Sequence, residues 1–409
     1  MSAMGRRDFL KASAGVGAAF SACPFASQQA RAEDHPVANP GTDGVPDVPP
    51  TGEHQPGIVD EIVPEMELLS VSIQPGGDLR HVLWTVSDLA RSLATGRRVQ
   101  QRGVSRPADD NGTLGSPTAV DGVRMTVGFG ASLFDDRFDL KNKKPKHLSA
   151  MSAFPDDTLE PDWCHGDISI QIGANHEDAV LHAVRLLLQR LRGHIVVNWR
   201  IRGYVNPPRP SGTPRNHLGF MDGTVQPQIH DPATAKRLLW AGDDEPAWCK
   251  GGTYQVIRVI RMLVEFWDRI TISEQENIFG RDRLTGAPLS GGDEHSDPDY
   301  HNDPTGAVIP LNSHIRLANP RTPEVADSMI LRRGFNYNLG VADNGTLDMG
   351  IIFTCYQQDI ERQFATMQRR LEGEPLADYI IPFGGGYFFV PGGMSDDPSD
   401  YLGRKLLEN

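Results

Sequence analysis

The chain has 409 residues, 40 of them Lys or Arg and 53 Asp or Glu, for a formal net charge of −13. That length suffices for two domains of ordinary size, each burying a core. The acidic balance argues against nucleic acid or an anionic lipid surface as partner, and 39% apolar residues is the composition of a soluble protein.

In chain order, "GRRDFLKASAGVGAAFSACPFASQQARA" comes first. Arg6-Arg7, then Phe9-Leu10-Lys11, a mild apolar run and the small-residue site Ala30-Arg31-Ala32 read as a twin-arginine export signal over residues 1–32. The apolar run is too short to span a membrane. Phe20-Ser21-Ala22-Cys23 weakly imitates a lipoprotein cleavage site, so lipidation at Cys23 stands as the alternative to cleavage after Ala32. Cargo of this pathway crosses folded, often around a cofactor. The remainder of the chain carries about −16 by the same count.

Residues 33–60 are proline-rich without apolar periodicity, and the expectation is a flexible tether. Alternation begins near Met66, a helix is expected over 78–94, and strands over 123–130 and 167–175. A second helix, with acidic residues in its first turn, runs to Gly193 and is followed by a strand over 194–205. The same vocabulary then repeats. A long strand is expected over 253–267, a short helix in "SEQENIFGRD", a strand in "LDMGIIFTCYQQD", a helix in "IERQFATMQRRLEG" and a closing strand in "GGGYFFVPG". The fold class is therefore α+β, two ferredoxin-like modules with antiparallel sheets, spanning 61–235 and 236–409.

Cys164, Cys249 and Cys355, scattered through this region, make neither a disulfide framework nor a zinc site. No Cys-x-x-Cys-His occurs, so covalent c-type haem attachment is excluded. The acidic stretch "GGDEHSDPDYHND" (291–303), with His295 and His301, reads as a hydrated loop, with docking of a metal ion such as iron as the sharper alternative.

Three blocks carry chemistry: "GFMDGT" around Asp222, "HIRLANPR" from His314 to Arg321, and "LRRG" around Arg332. Asp-Gly is ordinary turn chemistry, and a lone histidine in an apolar segment is usually structural. Together, and in this order with "FGASLFDDRFDL", "IFGRDRLTGAPL" and "GGGYFFVPG", the blocks resemble the dye-decolorising haem peroxidases. They are most similar to the exported deferrochelatase/peroxidase subgroup of bacterial iron-uptake systems. The resemblance covers nearly the whole chain after the export segment and implies the fold of a pair of ferredoxin-like modules forming a dimeric α/β-barrel-like unit. It implies non-covalent haem b, one per chain, in the C-terminal module, with His314 as axial ligand to the iron.

By the same resemblance Asp222 is the distal acid and Arg332 the distal arginine, acting on hydrogen peroxide while aromatic donors are oxidised. An arginine does not deprotonate at workable pH, so the base must be the carboxylate. Gly223, Thr224 and Val225 would line the haem beside Asp222, and Asn319, Pro320 and Arg321 beyond His314, with Arg321 against a propionate. A ligating histidine usually donates its other ring N–H to a carboxylate, and Asp378 in "LADYIIPFGGGYFFV" is the expected partner. Met221 stands where the subgroup leads one to expect lysine, and Gly334 where other subgroups carry asparagine. The implied function is peroxidase and release of iron from haem with protoporphyrin left intact, in a periplasmic, dimeric protein that serves an iron-uptake transporter. The alternative is a non-catalytic haem carrier, which would need no distal acid and arginine.

Overall fold

The computed structural model describes residues 44–96, 104–115 and 120–408. The export segment 1–32 and the first part of the tether, 33–43, lie outside them.

Strand β1 (Glu65–Ile73) turns Met66 and Leu68 to one face and Leu69, Val71 and Ile73 to the other, and both sets are buried. A strand buried on both faces needs two coverings. Helix α1 (Leu79–Ala94) supplies part of one. Asp78 caps it by accepting the His81 N–H at 3.1 Å, and Leu79, Val82, Leu83, Val86 and Leu89 form its buried stripe. β2 (Arg124–Gly130), β3 (Ile168–Ala174), α2 (Glu177–Arg190) and β4 (Ile195–Tyr204) complete the first module. Its strands pair antiparallel in the order β4-β1-β3-β2, with Leu69 opposite Ile170 on one side and Arg200 on the other.

The second module runs through α3 (Pro232–Leu238), β5 (Thr253–Met262), α4 (Val264–Trp267), α5 (Ile272–Phe279) and α6 (His314–Ala318). It continues with the two-residue β6 (Leu331–Arg332), β7 (Phe335–Val341), β8 (Leu347–Gln357), α7 (Thr366–Arg370) and β9 (Ile380–Val390). Its main strands lie in the order β7-β8-β5-β9. Numbered within each module, the two orders are the same. The modules join where Phe129 pairs with Phe389 and where Tyr204 pairs with Asn336, so the antiparallel sheet closes on itself. The enclosed face is packed by Met66, Leu68, Trp199, Ile257, Phe335 and Phe388 from both modules.

Two expectations need correction. The strand expected over 253–267 ends at Met262, because Val264–Trp267 makes a helical turn that buries Trp267. The apolar run is continuous in sequence and hides the change of direction. Residues 44–60 are also anchored rather than a free tether. Gln55 donates to the Val127 and Pro391 carbonyls at 3.0 Å each and accepts the Val127 N–H at 2.8 Å. Ile58 is fully buried, and the His54 ring stacks on Trp240 at 3.4 Å.

No helix among the described residues is long and apolar enough to cross a membrane.

Candidate active site

The outer face of the second module's sheet is the floor of a cavity with about 1660 Å³ of empty space, part of it open to solvent. Ile260 and Met262 of β5, Ile351 and Phe353 of β8, and Ile380 and Pro382 of β9 form that floor. The other walls come from the 216–225 loop, α5, α6, the 298–300 segment and the chain around α7.

The 216–225 loop explains how a short carboxylate is presented. Asn216 closes it: its N–H donates to the Phe220 carbonyl and its Oδ1 accepts the Leu218 N–H, both at 3.0 Å. Arg215 bridges to Met221 and donates to the carbonyls of Gly219, Arg283 and Leu284 at 2.6 to 2.9 Å. Gly219 and Gly223 adopt φ of +86° and +107°, which L side chains rarely adopt. At Gly223 an added Cβ would meet only ordinary contacts, so the backbone angle, rather than crowding, calls for glycine there. The Asp222 N–H donates to Pro214 at 3.0 Å, which leaves the Asp222 side chain toward the cavity.

Arg332 meets it from β6, 110 residues later. Its Nη1 donates to Asp222 Oδ1 and its Nη2 to the Val225 carbonyl, each at 3.2 Å. The two side chains keep 33% and 27% exposure, as groups facing a cavity do. Gln226, which sequence reasoning missed, binds the Arg332 backbone in both directions at 3.0 Å.

His314 begins α6 on another wall. Glu374, almost fully buried, stands 2.7 Å from its Nδ1, and the edge of Phe279 packs against the ring. This corrects the expectation for Asp378: that residue is exposed, and the carboxylate on His314 is Glu374, four residues earlier. Glu374 caps the 3₁₀ turn Pro375–Tyr379 from its inner side, while Asp378 lies within the turn facing solvent. Burial works against a charged His314 imidazole, but the Glu374 carboxylate outweighs it and raises its pKa. His314, Arg332 and Asp222 all line the cavity, so the three groups address one space.

Gly223, Thr224, Val225, Asn319 and Arg321 line the cavity, and Pro320 is not among its lining residues. Arg321 sits at φ +60° with Nη1 2.5 Å from Asp297. The 291–303 segment is thus more than a hydrated loop. It reaches Arg321 through Asp297, and the His295 Nδ1–H donates to the Thr224 carbonyl at 3.2 Å. No cluster of three metal-ligating side chains occurs among the described residues, there or elsewhere.

The cavity fits a haem on four observations. Its floor is apolar, as a flat macrocycle requires. With Nδ1 engaged by Glu374, His314 has Nε2 left to bind a metal. Arg281 and Arg321 bring positive charge for propionates. Finally, the Tyr300 hydroxyl and Arg258 Nη1 are buried polar atoms on the cavity lining without a protein partner. Burial pushes the Tyr300 hydroxyl up to about 12, against the pull of Arg321, Arg281 and Arg316, so it is a donor.

Comparison with known proteins agrees with this geometry. Family models match residues 55–205 (Dyp-type peroxidase, N-terminal) and 213–395 (Dyp-type peroxidase, C-terminal). The chain is 42% identical to a deferrochelatase of Shigella flexneri serotype 5b (strain 8401), covering 98% of this chain and 97% of that one. It is 44% identical to a deferrochelatase of Escherichia coli (strain K12), covering 87% and 86%. Ferric DtpA from Streptomyces lividans superposes with a TM-score of 0.80 at 31% identity, over 90% of this chain and 98% of that one. A DyP-type peroxidase from Cellulomonas bogoriensis does so with 0.78 at 36%, over 90% and 99%. The chain belongs to the Dyp-type peroxidase family and is a haem-dependent peroxidase.

Proposed function

We propose that this enzyme reduces hydrogen peroxide with oxidation of aromatic donors, and also releases iron from haem while leaving protoporphyrin intact. The single observation that carries the first activity is the Asp222–Arg332 pair, hydrogen-bonded at 3.2 Å in the same cavity as His314. The second activity rests on the similarity to proteins named deferrochelatase over most of the chain.

Bound haem b, one per chain, would supply the redox-active iron and the porphyrin. His314 would hold the iron through Nε2, with Nδ1–H donating to Glu374, which fixes the tautomer and raises the basicity of the ligand. Asp222 would take a proton from one peroxide oxygen and deliver it to the other. The part of the Arg332 guanidinium is to hold the Asp222 carboxylate and stabilise negative charge as the O–O bond parts. Gly223, Thr224, Val225 and Asn319 would pack beside the macrocycle. Arg321 would exchange Asp297 for a propionate, helped by Arg281 and Tyr300.

The reading extends to the setting. The two modules divide in the connection between β4 and α3, ahead of the expected 235/236 boundary, and the Arg6-Arg7 segment directs twin-arginine export to the periplasm. There the enzyme would act as a homodimer beside iron-uptake transporter components. The test uses haem-loaded protein. Peroxide-dependent dye oxidation should fall about a hundredfold or more in Arg332→Leu. Excess haem under reducing conditions should yield protoporphyrin fluorescence. Undiminished turnover in the variant would remove the peroxidase roles, and absence of metal-free porphyrin would remove the iron-releasing activity.

A further inference from the structure

β6 is only two residues long, and one of its edges pairs with β8, Leu331 opposite Tyr356 and Arg332 opposite Cys355. The Arg333 N–H also points to β8, donating to Thr354 at 2.7 Å. In an antiparallel ladder neighbouring residues alternate direction, so the Arg332 N–H and C=O face the opposite edge. Among the described residues no strand covers that edge. β7 continues the line of β6 and pairs with β4 at Tyr204–Asn336, a seam that does not reach Arg332. Open edge groups beside a cavity leave a backbone free to shift.

We infer that Gln226 is a positioning residue that holds the Arg332 guanidinium on Asp222, by standing in for the missing strand neighbour. A primary amide carries the same donor and acceptor as a peptide group, and here both are used. The Arg332 N–H donates to Gln226 Oε1, and Gln226 Nε2 donates to the Arg332 carbonyl, each at 3.0 Å. The other end of Arg332 is held by the same five residues of loop, with Nη2 on the Val225 carbonyl and Nη1 on Asp222. Backbone and guanidinium of one arginine are thus fastened to residues 222–226, and chain segments more than a hundred residues apart behave as one rigid piece. Pro227 follows directly and biases Gln226 to an extended backbone, which suits a side chain reaching across as a strand would.

Placement matters because a second cavity lies behind the pair. It has about 870 Å³ of empty space, partly open, lined by Tyr204, Thr213, Asn336 and Gln226, and it shares Asp222 and Arg332 with the haem cavity. The β8 pairing holds one edge of β6, and on the edge that faces Asp222, with space on both sides, these hydrogen bonds set how far Arg332 stands from it. A displacement of about 1 Å can cost up to about a hundredfold in rate.

The inference rests on the peroxidase reading above, and the experiment separates the two. Gln226→Met keeps length and volume but deletes both hydrogen bonds, and Gln226→Asn keeps the amide on a shorter arm. In haem-loaded Gln226→Met, kcat/KM for peroxide should fall about ten- to a hundredfold, with the dye KM, haem occupancy and Tm unchanged, and Gln226→Asn should recover part of the loss. In the haem-free protein, hydrogen exchange at the Arg332 amide should be protected in the wild type and accelerate in Gln226→Met. Fast exchange already in the wild type would overturn the inference, whether or not the variant folds. So would accelerated exchange with unchanged kcat/KM, or a loss of turnover that merely follows lost haem or a lower Tm. If Asp222→Ala and Arg332→Leu retain full turnover, the peroxidase reading itself falls and takes this inference with it.

Discussion

The two modules share one strand order and differ in what lies against it. Over the first, α1 and α2 press their apolar stripes directly on the sheet, so Leu83, Val86, Leu187, Val71 and Ile170 belong to one continuous core. Over the second, the covering is made of short helices and long connections, and it stands off the sheet to leave the cavity. The same sheet serves as half of a core in one place and as the floor of a site in the other. Chemistry here belongs to the connections, above all 205–252 and 263–330, rather than to the strand pattern.

Substitutions should sort accordingly. The largest effect belongs to His314→Ala, which should abolish haem binding. The Soret absorbance of purified and haem-titrated protein checks it, and normal occupancy would remove His314 as ligand. Next is a change in the first module. Leu83→Ala leaves a void in a fully buried position and should cost about 2–5 kcal/mol, read by urea denaturation. Peroxidase kcat per folded molecule should stay the same, and a matching fall in kcat would show that the modules do not divide labour in this way. Smaller again, Glu374→Gln should weaken haem binding by about ten- to a hundredfold, while Asp378→Asn leaves it unchanged. The reverse pattern would restore Asp378 as the partner of His314.

The smallest effect is a pH dependence in the first module. Burial pushes the Asp167 carboxyl up, but Arg137, Ser132 and the Ile73 N–H outweigh it, so its pKa lies below the ordinary value. The unfolded chain then binds the proton more readily than the native one. The pair therefore stabilises the fold above about pH 4, and that contribution fades as pH falls through the lowered native value. In denaturation midpoints taken from pH 6 downward, the gap between wild type and Asp167→Asn should narrow on the acid side. A gap that stays constant or widens would contradict this.

Much of this was legible in the chain itself. Period-two and helical spacing place β1 to β4, α1 and α2 within three residues, because in the first module local pattern and burial agree. Asp222, His314 and Arg332 were legible from quoted blocks rather than from spacing, since residues that meet across about a hundred positions leave no periodic trace. Glu374 was missed because "LEGEPLADYI" offers three acids, Glu372, Glu374 and Asp378, and only the turn that begins at Pro375 decides which faces inward. Gln226 carried no signal beyond its place before a proline. The packed segment 44–60 was misread because Gln55 and Ile58 are single inserted side chains in a proline-rich run, and periodicity cannot register one residue.

Asp222 and Arg332 on one wall and His314 on another are the centre of this picture. Rapid mixing of haem-loaded Asp222→Ala with hydrogen peroxide, followed at the Soret band, tests it most directly. The second-order rate of the spectral change should fall by about a hundredfold or more against wild type at equal haem occupancy. A rate equal to that of the wild type would show that the carboxylate over the cavity does not move the proton.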